Sequence, residues 1–393
     1  MNEATRTFII NHANEDVFSL SMQAGRFPDV DMSLAIRQIN GRKIIRDKVP
    51  EFFCNDHILF PQKISLEQSS SQQTAEYKKS IITPGEVLVD LTGGFGVDFY
   101  FLSSHFRESY YVESSEELCE LAKINFKLLN VKSFHVYNET AEKFLTRNLH
   151  TDCIYIDPHR RDDTGRKMVS VSDCRPDVSK LASVMLRLAP VVLIKLSPML
   201  DIKKALVDLI HVSEVHVVAV NNECKELLYK LQRDYVREPV IFAVNLNKNR
   251  VWEKFSFRMS EENHTENSFA TKTGKFLYEP NAAILKSGAF KLMCKRFLFN
   301  QLHANSHLYS SELQISDFPG RSFEIVAQYG CSKSEMKKMQ AHFPQANVSC
   351  RNFPLNPEVF RKKHNIADGG DIYIFATTLY DGSLACIVCK KLP

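Results

Sequence analysis

Thirteen residues, Val87 to Phe99 (VLVDLTGGFGVDF), hold the first arrangement in this chain that could do chemistry. An apolar strand ends in Asp90, and a turn carrying Thr92, Gly93, Gly94 and Gly96 opens a helix. Glycines there let the backbone take positive φ and let a ligand approach main-chain N–H groups with no Cβ in the way. The spacing is not the G-x-G-x-x-G of nicotinamide-binding turns. The next strand (YYVES) ends in Glu113, about twenty residues after the glycines, where a carboxylate can grip a ribose diol. An acid, a glycine turn and a second acid in that order point to a nucleoside cofactor. Glu113 also admits a plainer role, as the neighbour of a helix start, SSEEL, that caps itself.

A second arrangement is Asp157-Pro158-His159-Arg160-Arg161-Asp162, after the fourth strand. Asp157 could position or deprotonate a nucleophile, and His159 could act as a general base or simply pack. Arg160 and Arg161 suit a phosphate-bearing substrate, or else pair with Asp162, Asp163 or Asp177. Lys195 closes the fifth strand, either on the substrate side of a parallel sheet or as a solvated strand end. A cysteine nucleophile is disfavoured: Ser197 stands at the fifth strand end, and Cys224 reads as a buried structural thiol. Cys386 and Cys389 are the one close cysteine pair, but positions three apart on a strand face opposite sides, so no metal is expected.

Asp90 with the GGFG turn, then Glu113, then Asp157-Pro158, resembles the class I S-adenosylmethionine-dependent methyltransferases. The resemblance implies that the turn cradles the methionyl end of S-adenosylmethionine, with Asp90 orienting the loop or the cofactor amine. It implies that Glu113 binds the ribose, and it makes Asn138 and Glu139 the adenine candidates. Thr140 stands where family members often have Asp. Family members that grip an exocyclic amine carry D/N-P-P-Y after the fourth strand. Here His159 and Arg160 replace the second proline and the aromatic, so dedicated amino-group methylation is not expected.

Over the wider chain EQSSSQQTAEYKKSI, DPHRRD, KLSPMLDI, LYEPNAAILKSG and RNFPLNPEVFRKKHNIADGGD occur in that order. Together they resemble bacterial class I methyltransferases with a ferredoxin-like segment and a C-terminal THUMP-like domain. That resemblance implies a structured RNA, tRNA or rRNA, as the partner. The tail offers Arg351, Arg361, Lys362, Lys363 and His364 beside Phe353 and Phe360, readable as RNA contact or as a solvated basic helix face. Two rival readings stay open: a methyltransferase of a protein or small molecule, and a non-catalytic RNA-binding protein with a degenerate cofactor site.

The elements that must position these residues are legible from Glu86 onward. EVLVDL, SYYVE, SFHVY, DCIYID, PVVLIKL, EVHVVAV and PVIFAVNL alternate with helical stretches such as SSEELCELAKINFKLL. This predicts an α/β fold, a Rossmann-like seven-stranded sheet, with the strands around Val217 and Phe242 as an antiparallel edge. The expected divisions are an N-terminal helical region (1–75), the methyltransferase domain (76–250), a linker and ferredoxin-like segment (251–320) and a small α+β THUMP-like domain (321–393). Residues 260–272 read as a polar loop, and 280–302 as helix. Of 393 residues 44% are hydrophobic and 24% charged, which excludes disorder and coiled coil. A net charge of +4 permits a polyanionic partner without demanding one. Apolar stretches such as APVVLI are too short for a membrane span, and no secretory signal is visible. Ten scattered cysteines fit a reducing, cytoplasmic compartment.

Overall fold

The computed structural model describes residues 1–160 and 170–392, with Arg160 described by its backbone alone. The chain divides into two units: Met1–Ser213 with Leu227–Arg237, and Glu214–Glu226 with Glu238 onward.

The first unit is built on β1 (Gly85–Asp90), β2 (Phe106–Glu113), β3 (Phe134–Asn138), β4 (Cys153–Ile156), β5 (His159–Arg160), β6 (Cys174–Arg175) and β7 (Val191–Leu196). Five of these form a parallel sheet in the order β3-β2-β1-β4-β7. β5 and β6 make a separate antiparallel ladder. Leu88, Val89 and Leu91 are all buried, as a central strand covered on both faces requires. Between the strands lie helices such as Val97–Ser103, Glu116–Leu128 and Val178–Leu188. The last buries Val178, Ala182, Met185 and Leu186, one apolar stripe at helical spacing. The N-terminal region is helical as expected. Ile45, Val49, Phe52, Phe60 and Leu66 pack in one cluster with Phe95, Val97 and Phe101. The helices before β1 therefore brace the turn that follows it.

β8 (Val212–Val220) comes next along the chain. A two-residue turn follows, with Asn221 and Asn222 at φ of 51° and 65°, and leads into β9 (Glu223–Gln232). From Leu227 onward β9 pairs antiparallel with β7. β10 (Val240–Leu246) pairs with β8 in parallel, and β11 (Trp252–Phe257) runs antiparallel to β10. The expected antiparallel edge at Val217 and Phe242 is thus corrected: those two strands are parallel. The reason is β9, whose Glu223, Lys225, Glu226 and Lys230 hide a strand in which Leu227, Leu228 and Tyr229 are all buried. It adds one chain reversal between β8 and β10.

The second unit also holds a seven-stranded sheet. Its strands are β12 (Phe276–Pro280), β13 (Asn300–Gln301), β14 (Tyr309–Ser311), β15 (Gly320–Gly330), β16 (Asn347–Arg351), β17 (Ile372–Thr378) and β18 (Leu384–Lys391). The order is β13-β14-β12-β15-β18-β17-β16, antiparallel except between β16 and β17. Helices Lys333–His342 and Pro357–His364 contribute Met336, Met339 and Phe360 to a cluster with Cys386 and Val388. A second cluster gathers Leu277, Leu308, Phe323, Phe375, Ile387 and Cys389. Cys386 and Cys389 accordingly serve different cores.

Two local expectations are corrected in this unit. Part of 260–272 is helix, Met259–His264, because buried Glu262 accepts the backbone N–H groups of Lys291 and Leu292. The single helix expected over 280–302 is two, Ala282–Ser287 and Lys291–Phe297, separated at Gly288 with φ 82°. No helix among the described residues is long and apolar enough to cross a membrane.

Candidate cofactor and acceptor site

Parallel strands place their carboxyl ends on one edge, so Asp90, Glu113, Asn138, Asp157 and Lys195 are brought to the same side of the first unit's sheet. Asp90 is buried. Its Oδ1 accepts from the Thr92 backbone N–H at 3.0 Å, while Oδ2 is buried with no hydrogen-bond partner. Burial pushes the Asp90 carboxyl well above its ordinary range; the Thr92 bond opposes this, and the charges of Asp98, Asp157 and Glu113 add to it.

The three glycines of the turn do different work. A Cβ on Gly93 would stand 2.0 Å from the Tyr111 ring, and one on Gly96 would stand 2.7 Å from Phe126. Neither position has room for a side chain, and Gly96 also sits at φ 88°. Gly94 has φ 55° and nothing closer than the Thr92 carbonyl oxygen, 3.9 Å from where a Cβ would stand, and its N–H is already engaged. That N–H donates to Glu113 Oε2 at 3.0 Å, and the Tyr111 hydroxyl donates to the Gly94 carbonyl at 2.5 Å. Glu113 Oε1 accepts from the Ser115 backbone at 2.9 Å and the Ser114 hydroxyl at 3.1 Å. Three of about four carboxylate acceptor positions are therefore filled, one of them by the Ser114 hydroxyl.

Asn138 is exposed and donates to the Glu113 and Ser114 carbonyls, both at 3.0 Å. Glu139 pairs with Arg147 at 2.7 Å and Lys143 at 3.4 Å. Those ion pairs hold Glu139 away from any simple acceptor role, whereas Asn138 sits on the rim. Thr140 caps the following helix, its hydroxyl accepting from the Lys143 N–H at 3.3 Å.

On the acceptor side, Thr92 Oγ1 accepts the Asp157 backbone N–H at 2.6 Å, which ties the glycine turn to the loop after β4. The Asp157 carboxylate forms an ion pair with Lys195, a largely buried lysine at the end of β7. Lys195 is thus neither a solvated strand end nor aimed at open solvent; it grips Asp157. Pro158 is buried and His159 exposed, the latter in the ladder opposite Arg175. Arg161, and the side chain of Arg160, lie outside the described residues. Cys224 lies on β9, and burial pushes its thiol up to about 11.

A further layer under the turn was not singled out in the sequence. Lys78, fully buried, pairs with Asp98 at 3.0 Å. Asp98 also accepts from the Ser70 hydroxyl at 2.6 Å and the Tyr155 hydroxyl at 2.7 Å. Burial raises the Asp98 carboxyl, but Lys78, Lys195 and the two hydroxyls outweigh it and hold it below its ordinary value. The one available signal was the EYKKS run, whose Lys78 falls on a helix face shared with Ala75 and Thr74.

The sites expected in the tail separate. Arg351 is paired with Glu279, Arg361 with Asp368, and Lys362 with Glu358. Phe360 is buried and packs edge-on against Phe353. Arg361 and Lys362 are each balanced by an acidic neighbour of their own.

A buried orphan oxygen on Asp90 and the two-oxygen Glu113 acceptor closing the turn fit a cofactor with an ammonium group and a ribose. Sheet order and site together define a class I methyltransferase scaffold. Residues 276–319 match a ferredoxin-like domain family and residues 320–391 a THUMP domain-like family. The crystal structure of a candidate methyltransferase from Porphyromonas gingivalis W83 matches with a TM-score of 0.90 at 35% identity, over 99% of this chain and 98% of that one. The chain belongs to this family, the S-adenosylmethionine-dependent methyltransferases with a ferredoxin-like segment and a THUMP-like domain. No curated protein matches it. An rRNA methylase from Streptococcus thermophilus is 12% identical over 41% of this chain and 93% of its own, with a TM-score of 0.30. A candidate methyltransferase from Streptococcus mutans, solved with SAH, is 15% identical over 31% and 69%, with a TM-score of 0.24. Neither carries an argument at those values.

Proposed function

We propose that the protein binds S-adenosylmethionine at the carboxyl edge of the first unit's sheet and methylates a structured RNA. The observation that carries the first half is Asp90 Oδ2, buried without a partner beside the turn that Glu113 closes. Asp90 and Thr92 take the methionyl amine, the backbone of Gly93, Gly94 and Gly96 lines the approach, and Glu113 takes the ribose hydroxyls. Asn138 meets the adenine in preference to Glu139, whose carboxylate is engaged by Arg147. When bound, S-adenosylmethionine supplies a sulfonium-activated methyl group, so alignment of the acceptor matters more than acid–base help. Asp157 orients or deprotonates the acceptor atom, with Pro158 and His159 shaping the same loop and Lys195 fixing the carboxylate. Arg160 and Arg161 follow in sequence as candidates for acceptor phosphate. The RNA half rests on the THUMP domain-like match over 320–391.

Isothermal titration of S-adenosylmethionine into the protein and its Glu113→Ala variant tests the cofactor half. Micromolar binding that the variant weakens by about 10- to 100-fold is expected, from the loss of charged hydrogen bonds. Absence of heat in the unmodified protein would sink the enzyme reading.

A further inference from the structure

The second unit contains an arrangement that the cofactor site does not use. Glu279, on β12, is only 3% exposed, yet it receives two arginines. Arg321, its partner in the β12–β15 register, donates through Nε at 2.7 Å and through Nη2 to Oε2. Arg351, at the end of β16, donates through Nε at 3.2 Å and Nη2 at 2.8 Å to Oε1.

One carboxylate balances one guanidinium, so this cluster keeps a net positive charge. Each guanidinium has five N–H donors and spends two on Glu279. Among the described residues neither makes another hydrogen bond. The two side chains remain 38% and 36% exposed, which leaves their unused edges to water. A buried carboxylate needing only charge balance would be served by one bidentate arginine. Arg321 is held further by the rings of Phe323 and Tyr373, at 5.6 and 5.9 Å from its guanidinium carbon. Planar forks already fixed in orientation lose little entropy on taking a phosphate oxygen pair.

We propose that Arg321 and Arg351 form a pincer for the RNA phosphate backbone, set in place by Glu279. The proposal rests on the RNA reading above and assigns it to residues. Both arginines fall inside the THUMP-like span, and the neighbouring basic helix Pro357–His364 has its Arg361 and Lys362 tied to acidic partners.

The test measures binding of unfractionated transfer RNA to the full-length chain across a salt series, with melting temperatures alongside. Arg321→Ala and Arg351→Ala should each weaken binding about 5- to 10-fold near 0.1 M salt and lower the slope of log affinity against log salt by about one. Glu279→Gln keeps both cations and should retain affinity within about 2-fold, even where its melting temperature falls. If the alanine variants bind RNA with the unmodified slope, the pincer is wrong and the RNA reading survives. If the alanine variants lose affinity only in step with their melting temperatures, and Glu279→Gln falls on the same line, the arginines act only through folding and the proposal is again overturned. An unmodified protein that retains no transfer RNA removes the RNA reading and the pincer together. Should the alanine variants not fold, Arg321→Lys and Arg351→Lys replace them. These keep the charge and lose the fork, so weaker binding at an unchanged slope supports the pincer, and unchanged affinity defeats it.

Discussion

Asp90 shows how a group proposed for binding can be costly to the empty protein. Its carboxyl is raised by burial, so between the ordinary value of 3.8 and the raised one the folded chain holds a proton that the unfolded chain has lost. Stability therefore declines as pH rises through that window. Asp90→Asn removes the decline: it should melt higher than the unmodified protein at pH 7 to 8, with the difference closing toward pH 4. The same variant should bind S-adenosylmethionine about 10-fold or more weakly, since an amide cannot balance the amine's charge. Thermal melts over a pH series with titration at pH 7.5 check both. A variant that melts lower at every pH would count against a strained, orphaned carboxyl.

At the scale of elements, the turn after β1 is held from below by Lys78 and Asp98, which join a helix before the sheet to the helix after the turn. Tyr155 on β4 shares the carboxylate. Removing one partner of a buried pair leaves an uncompensated charge, so Lys78→Met should cost about 3–5 kcal/mol by denaturant titration. The Asp98 carboxyl is lowered in the fold, so this pair's contribution is present above the ordinary carboxylate value and lost as pH falls through the folded one. Lys78→Met should consequently be less acid-sensitive than the unmodified chain below about pH 4. An unchanged acid limb would mean that other carboxylates govern it.

Across the whole molecule the charge is modest, +4 in 393 residues, so the proposed RNA affinity would come from placement rather than from net charge. The residues proposed for the cofactor lie in the first unit and the arginine pair in the second. Arg321→Ala should leave S-adenosylmethionine affinity within about 2-fold, and Asp90→Asn should leave transfer RNA affinity equally unmoved, as sites with no shared partners behave. Reciprocal loss in both titrations would instead reveal a coupling between the two sites.

The sequence alone carried the local parts of this protein. Asp90, Thr92 and the glycines are neighbours along the chain, and Glu113 ends the very next strand. Covalent spacing and strand period therefore sufficed to bring them together. The α+β order from Arg321 onward was legible for the same reason, each strand and helix carrying its own periodicity. The β9 strand was not, because its lysines and glutamates broke the apolar pattern that marks a strand. Contacts between distant residues were beyond reach: Lys195 meets Asp157 across 38 residues, Tyr155 meets Asp98 across 57, and Arg351 meets Glu279 across 72. A charged side chain reads the same in sequence whether it is solvated or buried against a partner. Only packing, which removes the water and supplies the counter-charge, decides which of the two it is.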